Sequence, residues 1–563
     1  MLRLITCVSL SAAIGFLVAP HSASGATLDN SAINLREFGA RGDNLSDDTN
    51  AYNSAVDRIN ERLSDGASVR FLIPPGKYIL RNARPIALPQ SSSLEIEAEA
   101  GASLVEAEDR TPVIIREVAR AHGGISRVIV HGLTVTRRND TPESHITGDG
   151  IDILGLPQSQ GGGKMRITAS DLRCDGRFMA CLKLENPVNA TIRGFRSAMP
   201  GTFNADPTQG TGIWLYTTPD PARINASIDN HITDSVMTGG FAGIRIDNHS
   251  EGLQISAATI VGASYGLYAP ADLRSNGASW ISVSGSHFNT SVAGIYAENA
   301  SNLNFTGNLF FALPPVAYGP NAQLPRDFGA FSAASPGWAG IWALNASSSA
   351  FNGNSFYGFL RPGQNSTGIR FSKMDDDKGR DVNAAETTTI TGNVMEAMNN
   401  GPLQIDRSSL NIATTGNISI VTRSSFSDNA NGPSITLANN MYNDHIDDMN
   451  TPVRTLLRTQ NTPDLASDGN INLTGKDALV FGVGAHTRTS SIGATRSALR
   501  VSTNSMQVTG GIQLIEGARF QGSIATPASS SSPCKPGEFE DDQNYHYVCV
   551  APDKWRRSAL SDF

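Results

Sequence analysis

From about residue 125 the chain is written in short stretches of alternating apolar and polar residues, separated by Gly, Asn, Asp and Ser, with no stretch of helical period among them. Alternation at period two marks a strand with one buried face. One phrase recurs, a small residue, then Gly, then Ile or Leu, then alternation: GDGIDIL, GTGIWLY, FAGIRID, SYGLYAP, VAGIYAE, WAGIWAL and STGIRFS. Its glycines are Gly150, Gly212, Gly243, Gly266, Gly294, Gly340 and Gly368, and the repeat length they give is about 23 to 31 residues. The first interval, 62, is twice 31, and its midpoint falls on Cys181 in MACLKLEN, which alternates in the same way. A second phrase lies between these, as in MRITASDL, LNFTGNLF, AFNGNSF, TITGNVM and ITLANNM. There Asn308, Asn354, Asn393 and Asn440 share one place, and asparagines that tolerate left-handed turns and bond to the next repeat suit a stacked coil. Two strands per repeat and a fixed phrase predict an all-β fold, a parallel β-helix solenoid.

The ends read differently. Residues 34–80 predict strand, turn, helix, strand: Asp47, Asp48 or Thr49 caps a helix with Ala51, Ala55, Val56, Ile59 and Leu63 on one side, and Pro74-Pro75-Gly76 turns the chain into Tyr78-Ile79-Leu80. One amphipathic helix ahead of many strands is what an end cap requires. The first residues, MLR, an apolar run and HSASGA, have the zones of a secretory signal with cleavage near Ala26. The expected organisation is a signal peptide at 1–26, a cap and first coils at 27–125, a parallel β-helix at 126–450, an irregular β segment at 451–528 and a small C-terminal β module at 529–563.

Charge narrows the partners. Charged residues make only 17% of the chain, net charge is -8, and no run of five Lys or Arg occurs; nucleic acid and anionic membrane surfaces are excluded as partners on that pattern. Past the leader no apolar stretch is long enough for a membrane span. A leader implies a secreted or periplasmic protein, and the remaining cysteines, Cys174 with Cys181 and Cys534 with Cys549, then form disulfides. Ten scattered histidines suggest no metal centre, QGGGKM and GVG at 482–484 lack phosphate-cradle spacing, and no cofactor is expected. Asp375 to Asp377 reads as a solvated loop.

With Gly as position zero and the next Ile inside, the second position after each anchor faces outward: Asp152, Lys183, Trp214, Arg245, Tyr268, Tyr296, Trp342 and Arg370. The fourth gives Leu154, Glu185, Tyr216, Asp247, Pro270, Glu298, Leu344 and Ser372. Sugar rings stack on aromatic faces while carboxylates and cations take hydroxyl or uronate groups, so this strip suits an extended polysaccharide, unless loops or another subunit cover it. Glycoside hydrolysis needs two carboxyl groups. Glu185 and Asp247 lie two repeats apart, about 9.6 Å between backbones; Asp247 with Glu298 has the same relation, and Asp152 with Glu185 is an adjoining pair. A lyase acting on uronic-acid polymers is the second reading, with Lys183 or Arg245 near the base position. Inserts at 198–211, 217–226 and 310–339, the last carrying Phe310, Phe311, Tyr318, Phe328, Phe331 and Trp338, are expected to wall a cleft or fill an interface.

The segment NLREFGARGDNLSDDTNAYNSAV with FLIPPGKYIL, together with the repeats, resembles the pectate-lyase-like superfamily over about residues 33–450. That resemblance implies a right-handed β-helix and a polysaccharide-degrading glycosidase of polygalacturonase or tailspike type, and the tailspike likeness implies a homotrimer. GDGIDI is similar to the polygalacturonase Asn-Thr-Asp-Gly motif, which would carry a catalytic role onto Asp149; the Asp-Asp and Gly-His-Gly elements are missing downstream, and only IRI at Ile244 to Ile246 matches the last one. The final module, PCKPGEFEDDQNYHYVCVAPDKWRRSAL, is similar to small C-terminal units of tailspike-like proteins, or is a disulfide hairpin that closes the chain. The non-enzyme rival is a carbohydrate-binding or structural adhesin on the same scaffold.

Overall fold

The computed structural model describes residues 32–121, 123–138, 146–162, 165–199, 210–218, 227–271, 277–313, 337–359, 365–372, 385–398, 403–405, 410–420, 427–428, 435–442, 454–458, 492–495, 498–501 and 526–561. The leader, most of the three inserts with Tyr318, Phe328 and Phe331, Asp375 to Asp377, and most of 451–525 lie outside the described residues. The chain divides into two compact units, 1–478 and 479–563.

The first unit is a right-handed parallel β-helix. Most described coils carry three strands rather than the expected two, Thr259–Ala269 and His287–Glu298 each running through two sheets as one strand, and successive coils pair in parallel to give three sheets. One coil shows the order: Met165–Ser170 in sheet A, Arg173–Asp175 in sheet B and Ala180–Glu185 in sheet C. The second phrase contains the missed corner. In LNFTGNLF the strands Asn304–Thr306 and Leu309–Ala312 belong to different sheets, and Gly307 turns between them at φ +64°. The left-handed residue turns the chain and shifts the inward phase by one, from Leu303 and Phe305 to Asn308 and Phe310, but apolar Leu309 and Phe311 continue the old phase in the sequence, so two strands read as one. The only antiparallel pairing of the described residues in this unit joins Ile435–Tyr442 to Arg454–Arg458.

At that corner the asparagines stack. Asn308 donates both its backbone N–H and its amide to Asn354 Oδ1 at 3.0 Å, Asn354 does the same to Asn393, and Asn393 to Asn417. Asn417, which sequence reasoning passed over, is the next rung, and strand register puts Asn440 in the same column one coil further on. Each amide also donates to the carbonyl closing the corner, as Asn354 does to Phe305. The buried turn is thereby satisfied without water.

The anchor glycines have a packing cause. A Cβ on Gly340 would lie 2.2 Å from Phe356 and 2.8 Å from the Gly368 carbonyl, and one on Gly294 would lie 2.3 Å from Phe310. Phe288, Phe310 and Phe356 stack in sheet B, with ring centroids 5.2 Å and 4.8 Å apart in the two adjacent pairs, and the glycine column makes room for them. Phe310 and Trp338, expected among loop aromatics, are buried strand residues of the main core instead. In the coil whose anchor is Cys181, the space beside the glycine column holds a disulfide: Cys181 bonds to Cys174, the register partner of Ser197 and thus one of the sheet B column that leads to Met237, Ile260 and Phe288.

The cap is the helix Thr49–Ser64, which buries Tyr52, Ala55, Val56, Ile59 and Leu63, with Ala51 packed at the margin. Asp47 accepts from the Thr49 N–H, while Asp48, at the cap position, accepts from Arg41 and Gly42 N–H and ties the preceding turn to the helix. Apolar solenoid ends need such cover. No helix of the described residues is long and apolar enough to cross a membrane.

The second unit includes an antiparallel three-stranded sheet, Phe539–Asp541, Tyr545–Ala551 and Lys554–Ala559, around a core of Tyr547, Trp555 and the Cys534–Cys549 disulfide. A core this small gains most from its covalent link.

Candidate functional site

Sheet C places the outward column in one file. Strand register pairs Asp152 with Lys183, Lys183 with Trp214, Trp214 with Arg245, Arg245 with Tyr268, Tyr268 with Tyr296, Tyr296 with Trp342 and Trp342 with Arg370. The residue before each, from Ile151 to Ile369, packs in the main core. The in/out alternation of a strand, repeated at the spacing of the coils, therefore aligns eight distant positions.

The file has two chemically different halves. In the lower half, Lys183 Nζ lies 4.9 Å from the Tyr216 ring centre and 5.5 Å from that of Trp214, and the Arg245 guanidinium lies 4.2 Å above Trp214. Asp247 accepts from Trp214 Nε1 at 3.0 Å through one oxygen and from Arg245 Nε at 3.1 Å through the other. Trp214 and Tyr216 meet edge to face at 5.4 Å. Glu185 accepts from the Thr218 hydroxyl at 2.6 Å, and Thr218 in turn is held by the Asn186 amide at 2.8 Å. Below them Lys183 Nζ stands 4.0 Å from both Asp149 Oδ2 and Asp152 Oδ1.

The electrostatics of these two aspartates differ from the ordinary. Burial pushes the Asp149 carboxyl up to about 7, with the neighbouring Asp152 charge adding and Lys183 opposing. Burial pushes Asp152 up to about 6, opposed by Lys183 and reinforced by Glu185. Asp149 also accepts from the Ala180 N–H at 2.9 Å, which fixes it against the coil above. Asp152 Oδ1 is buried without a hydrogen-bond partner, and burial outweighs the Lys183 ammonium 4.0 Å away in raising its proton affinity.

The upper half is closed. Tyr296 and Trp342 are 0% exposed and Tyr268 8%, in a cluster separate from the main core that includes Phe241, Tyr265, Val292 and Leu344. Glu298, 6% exposed, accepts from the Tyr296 hydroxyl at 2.5 Å and from Ala271 N–H at 2.6 Å. Tyr268, Tyr296, Trp342 and Glu298, and in the lower half Trp214, 7% exposed beneath the Arg245 guanidinium, are thus not open ring faces and carboxylates for a sugar chain, contrary to expectation; Arg370 reaches back over Trp342 at 4.6 Å and donates to Ser372. Burial and the Glu298 charge push the Tyr268 and Tyr296 hydroxyls far above their ordinary range.

Sequence reasoning missed Tyr265, Phe241 and Thr218. Counting alternation back across the anchor assigns Tyr265 to the interior, yet Gly266 and Leu267 both face in: a Cβ on Gly266 would strike Phe288, and Leu267 is core. Tyr265 shares its outward turn with its register column, Ala242, Ala293 and Ala339, and packs against Tyr268 and Tyr296. The aromatic residue directly ahead of the anchor in SYGLYAP is the one signal that could have found it.

No protein-family model matches the chain, and no curated protein sequence does. Among solved structures it is similar to PfbA, a surface adhesin of Streptococcus pneumoniae, at 14% identity over 73% of this chain and 90% of that one, with TM-score 0.43. It is similar also to the A-module of the mannuronan C-5 epimerase AlgE6 of Azotobacter vinelandii, at 14% identity over 73% and 99%, TM-score 0.42. A third is tailspike protein 3 of bacteriophage CBA120, at 14% identity over 73% and 58%, TM-score 0.43. These are parallel β-helix proteins of the pectate-lyase-like kind. At this identity the likeness is one of fold alone, and the fold of this chain stands on its own parallel register.

Proposed function

We propose that the chain is an extracellular polysaccharide hydrolase that seats an extended glycan on the lower half of the sheet C file, with Asp152 as proton donor and Glu185 as the base that activates water. The observation that carries this reading is the Asp152 carboxyl, raised to about 6 by burial and lying one coil from Glu185. Acid and base roles need carboxyls whose environments hold them in different states. Glu185 lies one coil up and two residues along from Asp152, a backbone separation of about 8 Å, within the roughly 6.5–9.5 Å that leaves room for a water in inverting hydrolysis.

In the proposed step Asp152 gives its proton to the glycosidic oxygen as the bond to the anomeric carbon breaks. Glu185 takes a proton from water as the water oxygen bonds to that carbon from the opposite face, so the new reducing end has inverted configuration. Solvent exchange then returns a proton to Asp152 and removes one from Glu185. Lys183 stabilises the carboxylate left on Asp152. Asp247, with both oxygens committed to Trp214 and Arg245, is a positioning residue here rather than the second carboxyl of the reaction. The two disulfides support an oxidising, extracytoplasmic setting.

The test is release of reducing ends from a panel of bacterial and plant polysaccharides, with absorbance of unsaturated sugar ends followed in parallel. Reducing ends without unsaturation support hydrolysis. Unsaturated ends assign the site to elimination, and binding without either product removes catalysis altogether.

A further inference from the structure

Around the coil from the sheet C file, between the end of sheet C and the start of sheet A, a column of left-handed residues stacks from coil to coil: Asn189, Asp229, Gly252, Trp280, Asn302 and Ser348, with φ from +50° to +72°. The bridges Ile228 to Glu251, Glu251 to Ser279, Ser279 to Ser301 and Ser301 to Ser347 hold the preceding residues in register. Each N–H of the column then donates to the next coil, as Trp280 N–H does to the Ser301 carbonyl at 3.0 Å. Gly, Asn and Asp accept this backbone readily; a bulky aromatic does not. Trp280 occupies it at φ +57° and is 62% exposed, so neither backbone preference nor burial accounts for a tryptophan there. Backbone cost retained at an exposed aromatic points to a function.

Trp280 flanks a groove of about 620 Å³ that crosses five coils, with Asp229, Glu251, Gln254, Asn302 and Asn304 among its lining. Five stacked coils span about 19 Å. A flat ring beside amide and carboxylate acceptors and donors is the chemistry that holds a sugar, by C–H contact with the ring and hydrogen bonds to hydroxyls. The lining has two carboxylates and no Lys or Arg, which disfavours a polyanion such as a polyuronate. We infer that this groove is a second carbohydrate-binding site, separate from the sheet C file, for an uncharged polysaccharide segment with Trp280 as its platform.

The experiment is affinity electrophoresis of the full chain through gels containing galactomannan, hydroxyethylcellulose or dextran, with polygalacturonate as the charged comparison. An Asp152→Asn background prevents cleavage during the run. At least one neutral polymer should retard wild type and Asp152→Asn equally. Trp280→Asn, which suits the left-handed column and should unfold at or above the wild-type temperature, should weaken that retardation at least roughly tenfold, with Trp280→Phe between the two. Retardation unchanged by Trp280→Asn overturns the site, and so does retardation by polygalacturonate alone or by none of the polymers. Loss of retardation in Asp152→Asn would merge the groove with the file and overturn its separateness. Cleavage surviving in Asp152→Asn would count against the proposed hydrolysis while leaving the groove untouched.

Discussion

Lys183 and Asp152 are register partners in adjoining coils, and the lysine Nζ lies 4.0 Å from Asp152 Oδ1 and equally far from Asp149 Oδ2. One cation thus serves two buried carboxyls whose proton affinities are raised to about 7 and about 6. Removing it by Lys183→Met should push both carboxyls higher still, because burial and mutual repulsion are then opposed only by the Ala180 N–H at Asp149 and by Arg116 at Asp152. An infrared titration of the protonated carboxyl band, compared between wild type and variant, reads this directly; an unshifted band would detach the lysine from the pair.

As a proton donor Asp152 must be neutral, so hydrolysis should fall as pH rises through about 6. Asp152→Asn should lower the rate by about 10² to 10⁴ at unchanged fold. A pH profile that keeps its alkaline limb in the variant would assign that limb to another group.

The same carboxyls set a pH dependence of stability. Their folded affinities lie above the unfolded value of about 3.9, so between pH 4 and 7 the folded chain keeps protons that the unfolded chain has lost. Stability from these groups is complete below the unfolded value of about 3.9 and is lost progressively as pH rises from there through the folded values of about 6 and about 7. The double variant Asp149→Asn, Asp152→Asn should flatten that part of the melting-temperature curve, which scanning calorimetry across pH checks.

Glu185 and Asp247 should separate kinetically. Glu185→Gln removes the water-activating base and should cost about 10² to 10⁴ in kcat. Asp247→Asn loosens the Trp214 and Arg245 side chains that it holds and should act mainly on KM. Equal losses of kcat in both would restore the pair two coils apart as acid and base.

Asn354→Ala should destabilise the β-helix by about 2–4 kcal/mol, since it strands the Asn308 N–H and amide and the Phe305 carbonyl in a buried corner and removes one of the two donors to Asn393 Oδ1. Denaturant unfolding measures it. A cost near zero would mean that water replaces the ladder.

The sequence by itself determined the coil, the capping helix, both cysteine pairings and the file from Asp152 to Arg370, because each depends on a periodicity or spacing that neighbouring residues impose on one another. It placed Asn308, Asn354, Asn393 and Asn440 in one column for the same reason. Tertiary structure alone decided that the coil has three corners, since Gly307 shifts the buried phase to Asn308 and Phe310 while apolar Leu309 and Phe311 keep the old alternation in the sequence. It alone decided that Lys183 and Arg245 keep polar surroundings while Tyr296 and Trp342 are enclosed. An outward-facing side chain is fixed by local backbone geometry, but whether solvent reaches it depends on groups such as Tyr265 and Phe241 that arrive from other coils, and the strength of a carboxyl such as Asp152 follows from that enclosure.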